Sequence, residues 1–175
     1  MIHKMNGAST TFALADLYAD IAQRLGRLCY APIAGTLQQR KDGLYMNHLT
    51  QPGQWLLLTP EEWVRQHLLG HWLEVLMFPK GLIATERKVK RGRSWGRIDA
   101  LVYDREGKPL VLAETKAATE PISQQTVMQA VTYNQTLNAQ WVMVTNGCQE
   151  GVLERVGERY VQREELPGWG ELVGA

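Results

Sequence analysis

The chain has 175 residues, 45% hydrophobic and 21% charged, with a net charge of +1. This length and balance point to a soluble globular chain with room for a genuine core. They supply no overall field that would gather nucleic acid, so any such case rests on local clustering. No apolar run approaches the roughly 18 residues that a membrane span needs. No continuous apolar core precedes Asp16 and Asp20, so no secretory signal is expected. Cys29 and Cys148 stand isolated in sequence, without CxxC or framework spacing. That usage fits a reducing, cytoplasmic setting and argues against a structural zinc site.

Leu14, Leu17, Ile21, Leu25 and Leu28 recur at helical spacing and predict an amphipathic helix over residues 10–30, capped by Ser9, Thr10 or Thr11 and followed by Pro32. Its apolar stripe suits the flank of a core better than a dimer contact, though a homodimer stays open as the second reading. Residues 36–40 and 44–48, joined by Lys41-Asp42-Gly43, read as a hairpin, with a third short strand at 55–58. In Thr59-Pro60-Glu61-Glu62, Thr59 suits the cap, Pro60 the first helical position, and Glu62 completes a capping box. The helix it starts should run to about Phe78, burying Val64, Leu68, Trp72 and Val75.

A strand over 82–89 leads into a basic loop, Lys90-Arg91-Gly92-Arg93-Ser94-Trp95-Gly96. Residues 97–116 read as a β-hairpin around Gly107 and Pro109. A helix over 121–137, a strand over 141–145 and a last hairpin over 152–162 follow, with a frayed tail after Pro167. The alternation predicts an α/β fold, a mixed β-sheet flanked by helices, with an N-terminal helix and small β-hairpin additions. It divides the chain into a helical extension, 1–35, and a main domain, 36–175.

The chemistry gathers at the 97–116 hairpin. Successive strand residues face opposite ways, so Glu114 and Lys116 share a face and Thr115 takes the other, with Asp99 on the partner strand. Two carboxylates and an ammonium at the rim of an apolar sheet are explained by a divalent cation. Magnesium, with manganese as a substitute, prefers oxygen ligands, here Asp99, Glu114 and the Thr115 carbonyl. A metal so held polarises a phosphodiester oxygen and activates water. The neighbouring carboxylates favour an electrostatic role for Lys116 over a basic one. Gln129 and Tyr133 stand one turn apart on the next helix. Arg91, Arg93 and Arg97, with Trp95 among them, suit phosphate contacts and base stacking.

At these residues the chain resembles a known family. Asp99, the Glu114-Thr115-Lys116 strand and Gln129/Tyr133 look like the PD-(D/E)xK nuclease signature with the Q-x-x-x-Y addition of type I restriction enzymes. Thr59-Pro60-Glu61-Glu62-Trp63-Val64-Arg65-Gln66, Leu101-Val102-Tyr103-Asp104, Gly107-Lys108-Pro109-Leu110 and Val144-Thr145-Asn146-Gly147 are similar to stand-alone proteins of the type I restriction R-subunit N-terminal family. The resemblance covers roughly residues 36–165. It implies a restriction-endonuclease-like core and magnesium-dependent DNA cleavage. Asp99 and Glu114 would be metal ligands, Lys116 the catalytic lysine, and Gln129 and Tyr133 accessory residues. Restriction-modification or helicase subunits are implied as partners beside DNA. Ile98 stands where the motif's name has proline, and no helicase portion is present.

Plainer readings stand beside these. An Asp followed by Glu-x-Lys recurs by chance as solvated edge charge. Gln129 and Tyr133 read equally as a polar helix face with Tyr133 half buried. Charge runs like the basic loop are usually solvated turns, though its position just before Asp99 favours phosphate contact. Glu61 and Glu62 are tempting as further acids, but capping explains Glu62; Glu86 is a candidate extra ligand. His67 and His71 have the spacing of zinc ligands, yet Leu68 stands where a zinc protease places its Glu, and a satisfied pair beside Trp72 fits better. The rivals to the nuclease reading are a nucleic-acid-binding module with a vestigial site and a partner-binding protein using the N-terminal helix.

Overall fold

The computed structural model describes residues 10–91 and 94–174, without the side chains of 90, 91 and 94. Among the described residues ten strands form two sheets. The smaller is antiparallel in the order β1 (Thr10–Ala13), β2 (Thr36–Arg40), β3 (Gly43–Asn47) and β4 (Trp55–Leu57). The larger contains β5 (Ile83–Arg91), β6 (Ser94–Tyr103), β7 (Pro109–Thr115), β8 (Trp141–Thr145), β9 (Glu150–Val156) and β10 (Arg159–Arg163), ordered from β10 at one edge to β5 at the other. It is mixed, because β7 and β8 run parallel while every other neighbouring pair is antiparallel. A parallel pair needs a crossover, and α3 (Gln124–Leu137) supplies it.

Two apolar layers cover the large sheet. On one face Leu68, Leu69 and Trp72 of α2 (Pro60–Glu74) pack with Ala100, Val102, Val111, Ala113 and Met143. On the other, Val127, Ala130, Tyr133 and Leu137 of α3 pack with Ile98, Leu101, Leu112, Val142 and Val144. A third cluster joins Leu14, Ile21 and Ala22 of α1 (Leu14–Leu25) to Leu37, Met46 and Trp63. Trp63 belongs to α2, so that helix packs on both sheets. The apolar stripe of α1 is thereby covered within the chain, as its reading as a core flank requires.

The structure corrects several expectations. The first helix begins at Leu14, with no side-chain cap, because Thr10–Ala13 pair with β2 as an edge strand. Thr59 does cap α2, its hydroxyl accepting from the Glu62 amide at 3.1 Å. The Glu62 carboxylate, however, turns into the protein instead of completing a capping box. It pairs with Arg65 at 2.9 Å and accepts from Gln66 at 2.8 Å. The helix ends at Glu74, so Val75 is exposed rather than part of the buried stripe.

The flanks of the basic stretch are paired, Lys90 with Trp95 and Arg91 with Ser94, while residues 92 and 93 of the expected loop lie outside the described residues. The tail after Pro167 is a short helix, α4 (Trp169–Val173), whose Trp169 is buried beside Phe78 with ring centroids 6.2 Å apart. Truncating Trp169 to Ala should cost about 3 kcal/mol, which at this chain length lowers Tm by roughly 9 °C in thermal melts. An unchanged Tm would mean that the tail is not part of the core.

Candidate functional site

The centre of the site is a place where two strands part. The β6–β7 ladder runs through Ala100 opposite Ala113 and stops there. Asp99 lies just beyond, and its Oδ2 accepts from the Thr115 amide at 2.7 Å and the Thr115 hydroxyl at 2.9 Å. The carboxylate therefore substitutes for a strand partner at an amide that would otherwise be buried and unpaired. Both bonds fall on one oxygen. The main chain holds the next residue from the other side, the Lys116 amide donating to the Thr145 carbonyl at 2.9 Å.

Asp99 and Glu114 are each only 5% exposed. The Glu114 carboxyl is pushed up to about 8, first by burial, then by the Asp99 charge, with Lys116 opposing. Its Oε1 is buried without a hydrogen-bond partner among the described residues. Asp99, Glu114 and Lys116 thus stand within electrostatic reach of one another. Glu61 joins them from the first turn of α2: burial and then Asp99 raise its carboxyl, while Lys116 lowers it.

Beside this group runs a chain of alternating charges. Arg65, itself buried, pairs with Glu62 at 2.9 Å and with Glu86 at 3.2 Å, and Glu86 pairs with Arg97 at 3.0 Å. Glu86 sits between the pairs Thr85–Ala100 and Arg87–Ile98, opposite Asp99, with φ 52°. A non-glycine residue in the left-handed region is strained and marks a place where position matters more than local comfort. The side chain is thereby committed to two arginines. In the sequence Arg65 stands out only as part of the motif over residues 59–66, with no role of its own. Its burial among three acids becomes visible only once α2 is laid on the sheet.

The remaining expected residues are more dispersed. Tyr133 lies over Gly96 so closely that a Cβ there would come within 2.3 Å of the ring. It is half-buried in the α3 layer. Gln129, one turn earlier, is exposed. Arg97 is 59% exposed on its side chain, and Trp95 is 69% exposed. Arg93 lies outside the described residues, as does the side chain of Arg91.

Of the two helical histidines, His67 is buried and hydrogen-bonded at both ring nitrogens. His67 Nδ1 lies 2.8 Å from the Trp63 carbonyl and Nε2 lies 3.0 Å from the Tyr18 hydroxyl. A carbonyl only accepts, so Nδ1 carries the proton and the tyrosine donates to Nε2. Burial lowers this imidazole to about 4, which keeps it neutral. His71 stacks on Tyr30, with centroids 5.1 Å apart.

Among the described residues no group of three or more His, Cys, Asp or Glu side chains is arranged to hold a metal ion. A set of two carboxylates and one main-chain carbonyl falls below that number. The donor chemistry nonetheless fits a hard cation, since all its atoms are oxygens and one buried oxygen lacks a partner.

This architecture is a mixed α/β fold with an acid-rich opening at the end of two central strands. The family model of the type I restriction enzyme R protein N terminus (HSDR_N) matches residues 60–167. That is more than half of the chain, and the protein belongs to this family. The curated proteins contain no match. Among the described residues no helix is long and apolar enough to cross a membrane.

Glu114 gives the site a pH signature. Its folded value of about 8 lies above the ordinary 4.5, so the fold prefers the protonated acid. The stability this contributes is fully present below about 4.5 and is lost as pH rises through about 8. Metal-free Glu114→Gln should match the wild type at acid pH and melt higher at pH 8, by about 3 °C or more for each ~1 kcal/mol recovered. Equal melting curves at both pH values would mean that the carboxyl is not held in this way.

Proposed function

We propose that the protein is a metal-dependent nuclease of the PD-(D/E)xK type, with a restriction-endonuclease-like core, that hydrolyses DNA phosphodiester bonds. The observation that carries this reading is the buried Glu114 Oε1, without a partner among the described residues, beside Asp99 and Lys116. Such an atom is costly in a folded chain unless something binds it. Membership of a restriction-enzyme family supports DNA as the partner, with restriction-modification or helicase subunits alongside.

Asp99, Glu114 and the Thr115 carbonyl would hold magnesium, or manganese in its place. When bound, the ion polarises a phosphodiester oxygen and lowers the pKa of a coordinated water. The chain's own groups do the rest. The Thr115 amide and hydroxyl fix Asp99 through Oδ2, which leaves Oδ1 as the oxygen to offer. Lys116 carries a positive charge to the phosphate as negative charge builds on it in the transition state. Glu114 would hold the ion as the carboxylate anion, so binding would require its carboxyl to give up its proton to solvent. Glu61 completes the acidic rim. Arg97 and Arg91, with Arg93 as read from the sequence, would contact the DNA backbone, with Trp95 available for stacking. Gln129 and Tyr133 would steady the substrate from α3.

A second reading, a nucleic-acid-binding module with a lapsed site, is favoured by the absence of a three-ligand cluster among the described residues. Plasmid degradation separates the two. With magnesium or manganese present, wild-type protein should degrade plasmid. Lys116→Ala and Asp99→Asn should each lose about 100-fold or more, in line with removal of a transition-state contact. Asp99→Asn retains an oxygen to accept from Thr115, so it tests charge rather than the fold. Equal rates in all three proteins would discard the catalytic assignment, and inactivity of the wild type under both metals would favour the lapsed site.

A further inference from the structure

Cys29 and Cys148 are separated by 119 residues in sequence, yet their sulfurs lie 2.8 Å apart. Both are free and exposed. Their apparent isolation is therefore a property of the sequence and not of the fold. We propose that they form a site of reversible thiol oxidation, closing to an intramolecular disulfide under peroxide.

The main chain positions both sulfurs. The Cys29 amide donates to the Gly147 carbonyl at 2.8 Å, which pins the segment after α1 against the turn between β8 and β9. That turn is itself built: Asn146 Oδ1 accepts from the amides of Cys148 at 3.0 Å and Gln149 at 2.8 Å. Gly147, at φ 89°, lies so close to Leu28 that a Cβ there would approach its side chain to 2.6 Å. One residue before Arg27, Gly26 packs on Ala118 with equal closeness. Tyr30 ties the next position down, donating to Glu150 and meeting the Thr145 hydroxyl at 3.0 Å. Two exposed thiols held by such a frame need only move about 0.8 Å closer to reach the length of a disulfide bond.

The Cys29 thiol donates to Cys148, and this contact raises the Cys29 thiol above its ordinary range, ahead of burial. A raised thiol supplies less of the reactive thiolate, so the first oxidation falls to Cys148. A peroxide transfers one oxygen to it, giving a sulfenic acid and water. The Cys29 sulfur then attacks the sulfenic sulfur, the S–S bond forms and a second water leaves. Two thiols and one peroxide thus yield one disulfide and two waters. The bond would clamp the segment following α1 onto the end of β8, whose Thr145 carbonyl holds the Lys116 amide. The proposal does not depend on the nuclease reading.

The test uses the full chain with hydrogen peroxide, then dithiothreitol. Maleimide titration should fall from two reactive thiols to none. Peptide mapping should recover Cys29 linked to Cys148, and dithiothreitol should restore both thiols. Because the closed loop is long, oxidation should raise Tm by on the order of 10 °C. Cys29→Ser and Cys148→Ser should each show no rise. Thiols that stay titratable, links found only between chains, or the same rise in the serine variants would overturn the proposal. So would cross-linking that is as fast in urea-unfolded protein as in the native chain, since the native frame would then contribute nothing.

Discussion

A strand that leaves its neighbour must find another partner for its amides, and at Thr115 that partner is the Asp99 carboxylate. The substitution lets β6 and β7 separate without leaving a buried donor unmet. It also brings a carboxylate to the buried end of two central strands, where Glu114, Glu61 and Lys116 gather around it. Glu114 is held in the same opening by its place on β7, with an oxygen that no described residue satisfies. The fold thus maintains an electrostatic tension at one point, and the neighbouring charges are arranged around it.

α2 is the element that makes this arrangement hold. Its C-terminal half supplies Leu68, Leu69 and Trp72 to the large sheet, and Trp63 packs with the small sheet. From its first two turns the helix presents Glu61, Glu62 and Arg65 toward the strand ends. Arg65 offsets Glu62 and Glu86 at close range, so the acids nearest the opening are not all left to repel one another. Burial makes such pairs weak evidence for stability but strong determinants of position, because removing one partner strands the other's charge. The strained backbone at Glu86 belongs to the same arrangement, since it directs that carboxylate to Arg65 and Arg97.

The regular parts of the fold were legible because their signals are local. Aliphatic and β-branched runs marked the strands of the large sheet, and Thr59-Pro60 marked the start of α2 through cap chemistry that the structure reproduces. Thr10–Ala13 were absorbed into a helical pattern because a short edge strand beside an amphipathic helix carries no period of its own. α4 was missed because five residues are too few to show one, and Trp169 alone announces that they dock. Glu62 was misread since a capping box and a buried ion pair require the same residue at the same place. At the site, the signature residues named the strands, but Asp99 binding Thr115 and Arg65 lying among acids are tertiary facts. The cysteine pair was invisible for the same reason, as no spacing rule anticipates contact across 119 residues.

The account rests on an ion taking the place that Glu114 Oε1 leaves open, with the proton on that carboxyl displaced. Calorimetric titration of manganese or magnesium at pH 7, in two buffers of different ionisation heat, measures this directly. A carboxyl near 8 is mostly protonated at that pH, so close to one proton should be released per ion bound. Glu114→Gln should release almost none. Metal binding without proton release in the wild type, or no binding at all, would contradict the assignment of this opening as a metal centre.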